Sequence, residues 1–208
     1  MAVKLYYHPL SSFSWKALIA AYELGVSFDG VIVDEATRAE LVKLWPLGKF
    51  PTLVDGDKVV PESTPVIEHL DRVSRRLAPR DQDLAREVRL WDRFFDLHIH
   101  DPMQRIVADR LRPPEAKYPL GVAEARERIA TAYGIAEARM AKRHWAVGDD
   151  FSLADCAAAP ALFYGNKVQP FGPEHPALTA YLARLSARPS FARVLKEAEP
   201  YFQFFPTE

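Results

Sequence analysis

The feature that most constrains this chain is a change of grammar near residue 76. Strand-like and helix-like patterns alternate before it, and only helical periodicity follows. Val3–Tyr7, "VKLYY", reads as a strand. A helix follows with Trp15, Leu18, Ile19 and Tyr22 on one face, stopped by Gly25. "FDGVIVD" (28–34) reads as a second strand and "TRAELVKLW" as a short helix. "PTLVDGDKVV" reads as a hairpin turned at Asp55-Gly56, and a last helix carries Val66, Ile67, Leu70 and Val73. The order is βαβαββα. Beyond "RVSRRLAPRD" the apolar spacing is helical: Leu84, Val88, Trp91 and Phe95; then Val122, Ala125, Ile129, Tyr133, Ala136 and Met140; then Leu178, Tyr181, Leu182 and Leu185. "RLRPPEAKYPLG" (110–121) reads as a helix-to-helix loop. The expected architecture is α+β: a mixed domain over residues 1–76, a linker over 77–86 and an all-helical domain over 87–208.

Charge narrows the partners. The net charge is −1, with ten basic and ten acidic groups in residues 1–80 and seventeen against eighteen in the rest. Such even spreading lacks the positive field that nucleic acid or an anionic membrane requires. Cys156 is the single cysteine, so an intrachain disulfide and a multi-cysteine metal site are excluded. "MAVKLYYHP" lacks the apolar core of a signal peptide, and no 18-residue apolar run occurs. A reducing, cytoplasmic setting is the expectation.

The chemistry is concentrated at "YYHPLSSFSWKALIAAYELG" (6–25), where a strand runs through a serine-rich loop into a helix. The free N–H groups of a helix start favour an anion. A serine there could hold a thiolate or a phosphate, or simply cap the helix, and the turn alone leaves these open.

Four stretches in order resemble the cytosolic glutathione transferase superfamily over essentially the whole chain. "SSFSWKALIAAYELG" is similar to the family's catalytic serine and first helix, with a zeta-like "SSxSW" start. "LWPLGKFPTLVDGD" is similar to its "NPxGKVPxL" stretch, with Trp45 in place of asparagine. "VVPESTPVIEHL" resembles its Glu-Ser pair, and "FSLADCAAAPAL" its C-terminal capping motif. The resemblance implies a thioredoxin-like first domain. It also implies that Ser11 donates to the sulfur of glutathione, lowering a thiol pKa from about 8.5. Ser12 and Ser14 are the candidates should the turn be differently registered. Positions 11–14 contain no cysteine, which favours conjugation over disulfide exchange. A cis Phe50-Pro51 bond would expose the Phe50 backbone to the cysteinyl unit of glutathione. Lys49 would meet the glycyl carboxylate, or be a solvated lysine. Glu62 would take the α-ammonium and Ser63 the γ-glutamyl carboxylate.

The implied activity is conjugation of glutathione to small, mostly apolar electrophiles by a homodimer. Glutathione is the co-substrate and no metal is expected. A maleylacetoacetate-type isomerase and a non-catalytic module are the alternatives, and Phe13 stands where zeta members carry cysteine. Ser152 and Asp155 read as a capping box, with Phe151 and Cys156 as its hydrophobic staple and Cys156 as a core residue. His98, His100 and Asp101 read as solvated helix positions, since residues two apart face different sides. Tyr201, Phe202, Phe204 and Phe205 are expected to tie the terminus to the core.

Overall fold

The computed structural model describes residues 3–207. Its sheet has the order β2-β1-β3-β4, formed by β1 (Val3–Tyr7), β2 (Phe28–Ile32), β3 (Thr52–Asp55) and β4 (Lys58–Pro61). β1 runs parallel to β2, with Leu5 opposite Gly30, and antiparallel to β3, with Leu5 opposite Leu53. Three helices complete this unit: α1 (Ser12–Leu24), α2 (Glu35–Leu44) and α3 (Ser63–Leu70).

Local chemistry sets the ends of these elements. Gly25 closes α1 in the left-handed region at φ 66°, where a side chain would be strained. β2 stops at Ile32, two residues short of the expected end, because Asp34 leaves the strand to cap α2. The Asp34 carboxylate accepts from Thr37 N, and the Thr37 hydroxyl accepts from Asp34 N, each at 2.9 Å. Asp55 pairs with Lys58, so the hairpin loop is Gly56-Asp57, one residue later than expected, with Gly56 at φ 61°. Val73 lies past the end of α3 and is 80% exposed. The buried carboxylate of Asp71 accepts from the backbone N–H of Arg76, Leu77 and Ala78 at 2.8–2.9 Å, which fixes the path out of the first unit.

The helical part comprises α4 (Gln82–Phe94), a π-helical turn (Phe95–His100), α5 (Asp101–Arg110), α6 (Pro119–Met140), α7 (Leu153–Val168), α8 (Pro176–Ala187) and α9 (Pro189–Ala198). α7 is the central helix, with every residue from Leu153 to Leu162 buried. It therefore has no apolar stripe to detect, as befits a helix enclosed on all sides. Asp155 organises its start, accepting from Ser152 N and Oγ, from Ala146 N and from the Tyr181 hydroxyl. Cys156 is wholly buried, and burial followed by the Asp155 charge pushes its thiol well above the usual value.

One aromatic cluster joins the two parts. Trp15 of α1 packs on Phe163 and Tyr164 of α7, Phe191 of α9 and Phe202 of the tail. Phe205 stacks on Tyr164. Phe202 and Phe205 thus bind the terminus to the core, while Phe204 is exposed.

Candidate active site

The loop between β1 and α1 is held from several sides. Ser11 N donates to His8 O at 2.9 Å, and His8 N donates to Ser14 Oγ at 3.2 Å. Trp15 Nε1 donates to Pro9 O, and the Tyr164 hydroxyl of α7 to Leu10 O at 2.9 Å. Side chains from both parts of the molecule thereby fix where α1 begins.

Ser11 is the N-cap of α1, and its Oγ accepts from Ser14 N at 3.2 Å. An accepting hydroxyl still has its own proton to donate. Capping and anion binding, which the sequence set against each other, are therefore compatible in one side chain. The three serines separate cleanly. Ser12 and Ser14 are buried, whereas Ser11 lines an open cleft of about 890 Å³.

The same cleft is lined by Lys49, Phe50, Pro51, Glu62 and Ser63, so the expected site residues converge. Phe50-Pro51 is a cis peptide. Glu62 sits at φ 71°, a conformation that costs a non-glycine residue of order 1–3 kcal/mol and is concentrated at functional sites. Ser63 opens α3 and is nearly buried. The opposite wall comes from the helical part, through Arg93, Asp96, Leu97, Asp101 and Gln104. Phe13 lines it too, as do Arg38 and Thr64, which sequence reasoning did not single out.

Behind this cleft lies a buried charge cluster. Lys16 of α1, 1% exposed, lies 2.6 Å from both Asp92 and Asp96, and its Nζ donates to Thr64 Oγ1 at 2.8 Å. The Thr64 hydroxyl donates to Asp92 Oδ2 at 2.9 Å. Burial disfavours the Lys16 ammonium, but Asp96 and Asp92 together hold its pKa above the ordinary value. The Asp96 carboxyl is pushed up to about 6: burial raises it, Lys16 draws it down, and Asp92 raises it again. A carboxyl raised on folding contributes stability at acid pH that is lost as pH rises from about 4 to about 6. Relative to an Asp96→Asn variant, the wild type should therefore lose stability over that window. Denaturant midpoints across pH 4–7 measure this, and parallel curves for the two proteins would contradict it.

His100 differs from expectation. It is 1% exposed rather than solvated, and its Nε2 lies 2.6 Å from Ser12 Oγ. The reason is the π-helical turn, in which Asp101 N–H reaches back five residues to Asp96 C=O and alters which side chains face inward. His98 does face a different side, toward the groove between α4 and α6.

A four-stranded sheet with a helix start aimed into a cleft, closed by a helical domain, defines a thioredoxin-like unit joined to an all-α one. The family "Glutathione S-transferase, N-terminal domain" matches residues 5–75, and "Glutathione S-transferase, C-terminal domain" matches residues 96–189. The chain belongs to the glutathione S-transferase superfamily. Among curated relatives, Glutathione S-transferase 3 of Zea mays is 29% identical over 93% of each chain. The Stringent starvation protein A homolog of Pasteurella multocida is also 29% identical, over 88% of this chain and 84% of its own. A glutathione S-transferase structure from Methylobacillus flagellatus with glutathione bound superposes at a TM-score of 0.86 and 25% identity, over 93% of this chain and 98% of that one.

Proposed function

We propose that this protein binds glutathione in the cleft at the start of α1, holds it as the thiolate through Ser11, and transfers it to a small electrophile. The observation that carries this reading is the convergence of Ser11, Phe50 at the cis-proline, Glu62 and Ser63 on one cleft. Ser63 and the start of α3 suit the γ-glutamyl carboxylate, and Glu62 suits the adjacent ammonium. The Phe50 backbone suits the cysteinyl unit. Lys49 and Arg38 supply positive charge for the glycyl carboxylate. The thiol proton passes to water, the sulfur attacks an electrophilic carbon, and a C–S bond forms as a leaving group departs or a double bond is saturated. Phe13 and Leu97 offer apolar surface to the second substrate.

The active assembly is a homodimer in a reducing, cytoplasmic compartment. α4 and α6 support the first point by exposing Leu90 at 62% and Ile135 at 51% beside a groove of about 800 Å³ that also includes Trp91 and Phe94. A second copy of the chain would bury these side chains.

A glutathione-affinity column, followed by ultraviolet titration of the bound thiol and a panel of model electrophiles, tests the proposal. Binding with a depressed thiol pKa and adduct formation support conjugation. Turnover that leaves glutathione unconsumed supports the isomerase instead. Retention on the column without thiolate formation supports a non-catalytic module instead.

Ser63 supplies a further prediction. It should hold the carboxylate equally in the ground and transition states, so Ser63→Ala should raise the KM for glutathione about tenfold or more while changing kcat little. Steady-state kinetics at saturating electrophile measure this, and a fall in kcat with unchanged KM would remove Ser63 from that role.

A further inference from the structure

His100 touches three residues around the reacting position. Ser12, beside Ser11 in the first turn of α1, lies 2.6 Å from Nε2. The Gln104 side-chain nitrogen, on the helical wall of the cleft, lies 3.1 Å from the same atom and 3.4 Å from Ser12 Oγ. The Phe13 ring, which lines the cleft, packs on the imidazole at 3.9 Å between centroids. Burial first, and the Lys16 charge second, push His100 down to about 3, so the ring is neutral at ordinary pH. In the tautomer with its proton on Nδ1, a neutral His100 accepts the Ser12 hydroxyl proton at Nε2, the shorter contact, and the Gln104 amide N–H is shared between Nε2 and Ser12 Oγ. The residue sits at the end of a π-helical turn, a distortion frequent at functional sites.

We propose that His100 is a positioning residue for the transferase reaction, fixing the first turn of α1 against the electrophile wall through Ser12, Phe13 and Gln104. It does not contact the thiolate. Ser11 keeps its own bond to Ser14, and the loop before it keeps its ties to Trp15 and Tyr164. What His100 sets is the distance and direction between the sulfur and its target. Small misplacements matter there, because reactivity depends steeply on near-attack geometry.

The inference rests on glutathione being held as its thiolate at Ser11, and the test keeps the two claims apart. The variants are His100→Leu, His100→Gln and the pair Ser12→Ala/His100→Leu. The paired variant removes both polar groups together, so no buried hydroxyl is left without a partner. In the leucine and paired variants, glutathione affinity and the ultraviolet thiol titration should stay within about twofold of wild type. The kcat/KM for the electrophile at saturating glutathione should fall about tenfold or more. His100→Gln, whose amide oxygen can still accept from Ser12, should recover much of the loss. Unchanged kcat/KM in the paired variant, or a loss only of thermal stability, overturns the proposal. An equal loss of glutathione affinity overturns it too, by making the contact merely structural. If the wild type shows no depressed thiol pKa, the thiolate reading itself fails and this inference falls with it.

Discussion

Replacing Lys16 by methionine should destabilise the folded protein by about 3–5 kcal/mol, the usual consequence of removing one member of a buried ion pair. The Lys16 and Asp92 side chains are only 1% and 2% exposed, and Asp96 is held by the same ammonium. Methionine fills much of the space but leaves two carboxylates facing one another with no cation between them. Thr64 donates to only one of them. The deficit should shrink as the pH is lowered, because the stranded carboxylates can then take up protons. Adding Asp96→Asn to the methionine variant should restore part of the loss at neutral pH. Urea unfolding of the single and double variants at pH 7 and pH 5 measures all of this. A deficit below about 1 kcal/mol would mean that water reaches the cluster in solution.

Replacing Ser11 by alanine should raise the pKa of bound glutathione by at least about one unit and lower conjugation near neutral pH about tenfold or more. Activity should recover in part as pH is raised. Ser11 Oγ also accepts from Ser14 N, so a loss of about 1 kcal/mol in stability should accompany the kinetic effect. Stability loss therefore does not discriminate between cap and catalyst, and the thiol titration does. Ser12→Ala and Ser14→Ala are the controls. Both side chains are buried and hydrogen-bonded within the protein, so neither substitution should shift the titration. If Ser11→Ala leaves the titration unmoved, the thiolate is stabilised by something else in the cleft.

Much of the site is local in sequence, which is why it can be read there. Ser11 follows a strand and opens a helix, Phe50 precedes the proline at a strand start, and Glu62-Ser63 opens another helix. Each role depends on its neighbours along the chain. His100 is not local in this sense. Its partner Ser12 lies 88 residues away, and its orientation depends on a π-helical turn that "FDLHIHDP" does not announce. Counting two residues along a regular α-helix correctly separates His98 from His100 but says nothing of which one is buried. Lys16 escaped notice for a related reason. A lysine beside an apolar helix face reads as solvated, and both carboxylates that bury it come from α4 and the turn after it. α7 was legible through its capping box rather than its periodicity, because a helix apolar on every side has no stripe.

The placement of Trp15 and Lys16 bears on how such a chain can be divided. Both lie on α1, within the unit that carries Ser11, Phe50, Glu62 and Ser63, yet the rings that pack on Trp15 and the carboxylates that pair with Lys16 belong to α4, α7, α9, the π-helical turn and the tail. A fragment ending at residue 76 would present an indole to water and strand an ammonium with no counter-ion. The sheet unit is therefore no freestanding cassette that could be excised and grafted elsewhere. Recombination that exchanges the helical half must carry matching acids and aromatics with it, or the helix bearing the serine loses its seat.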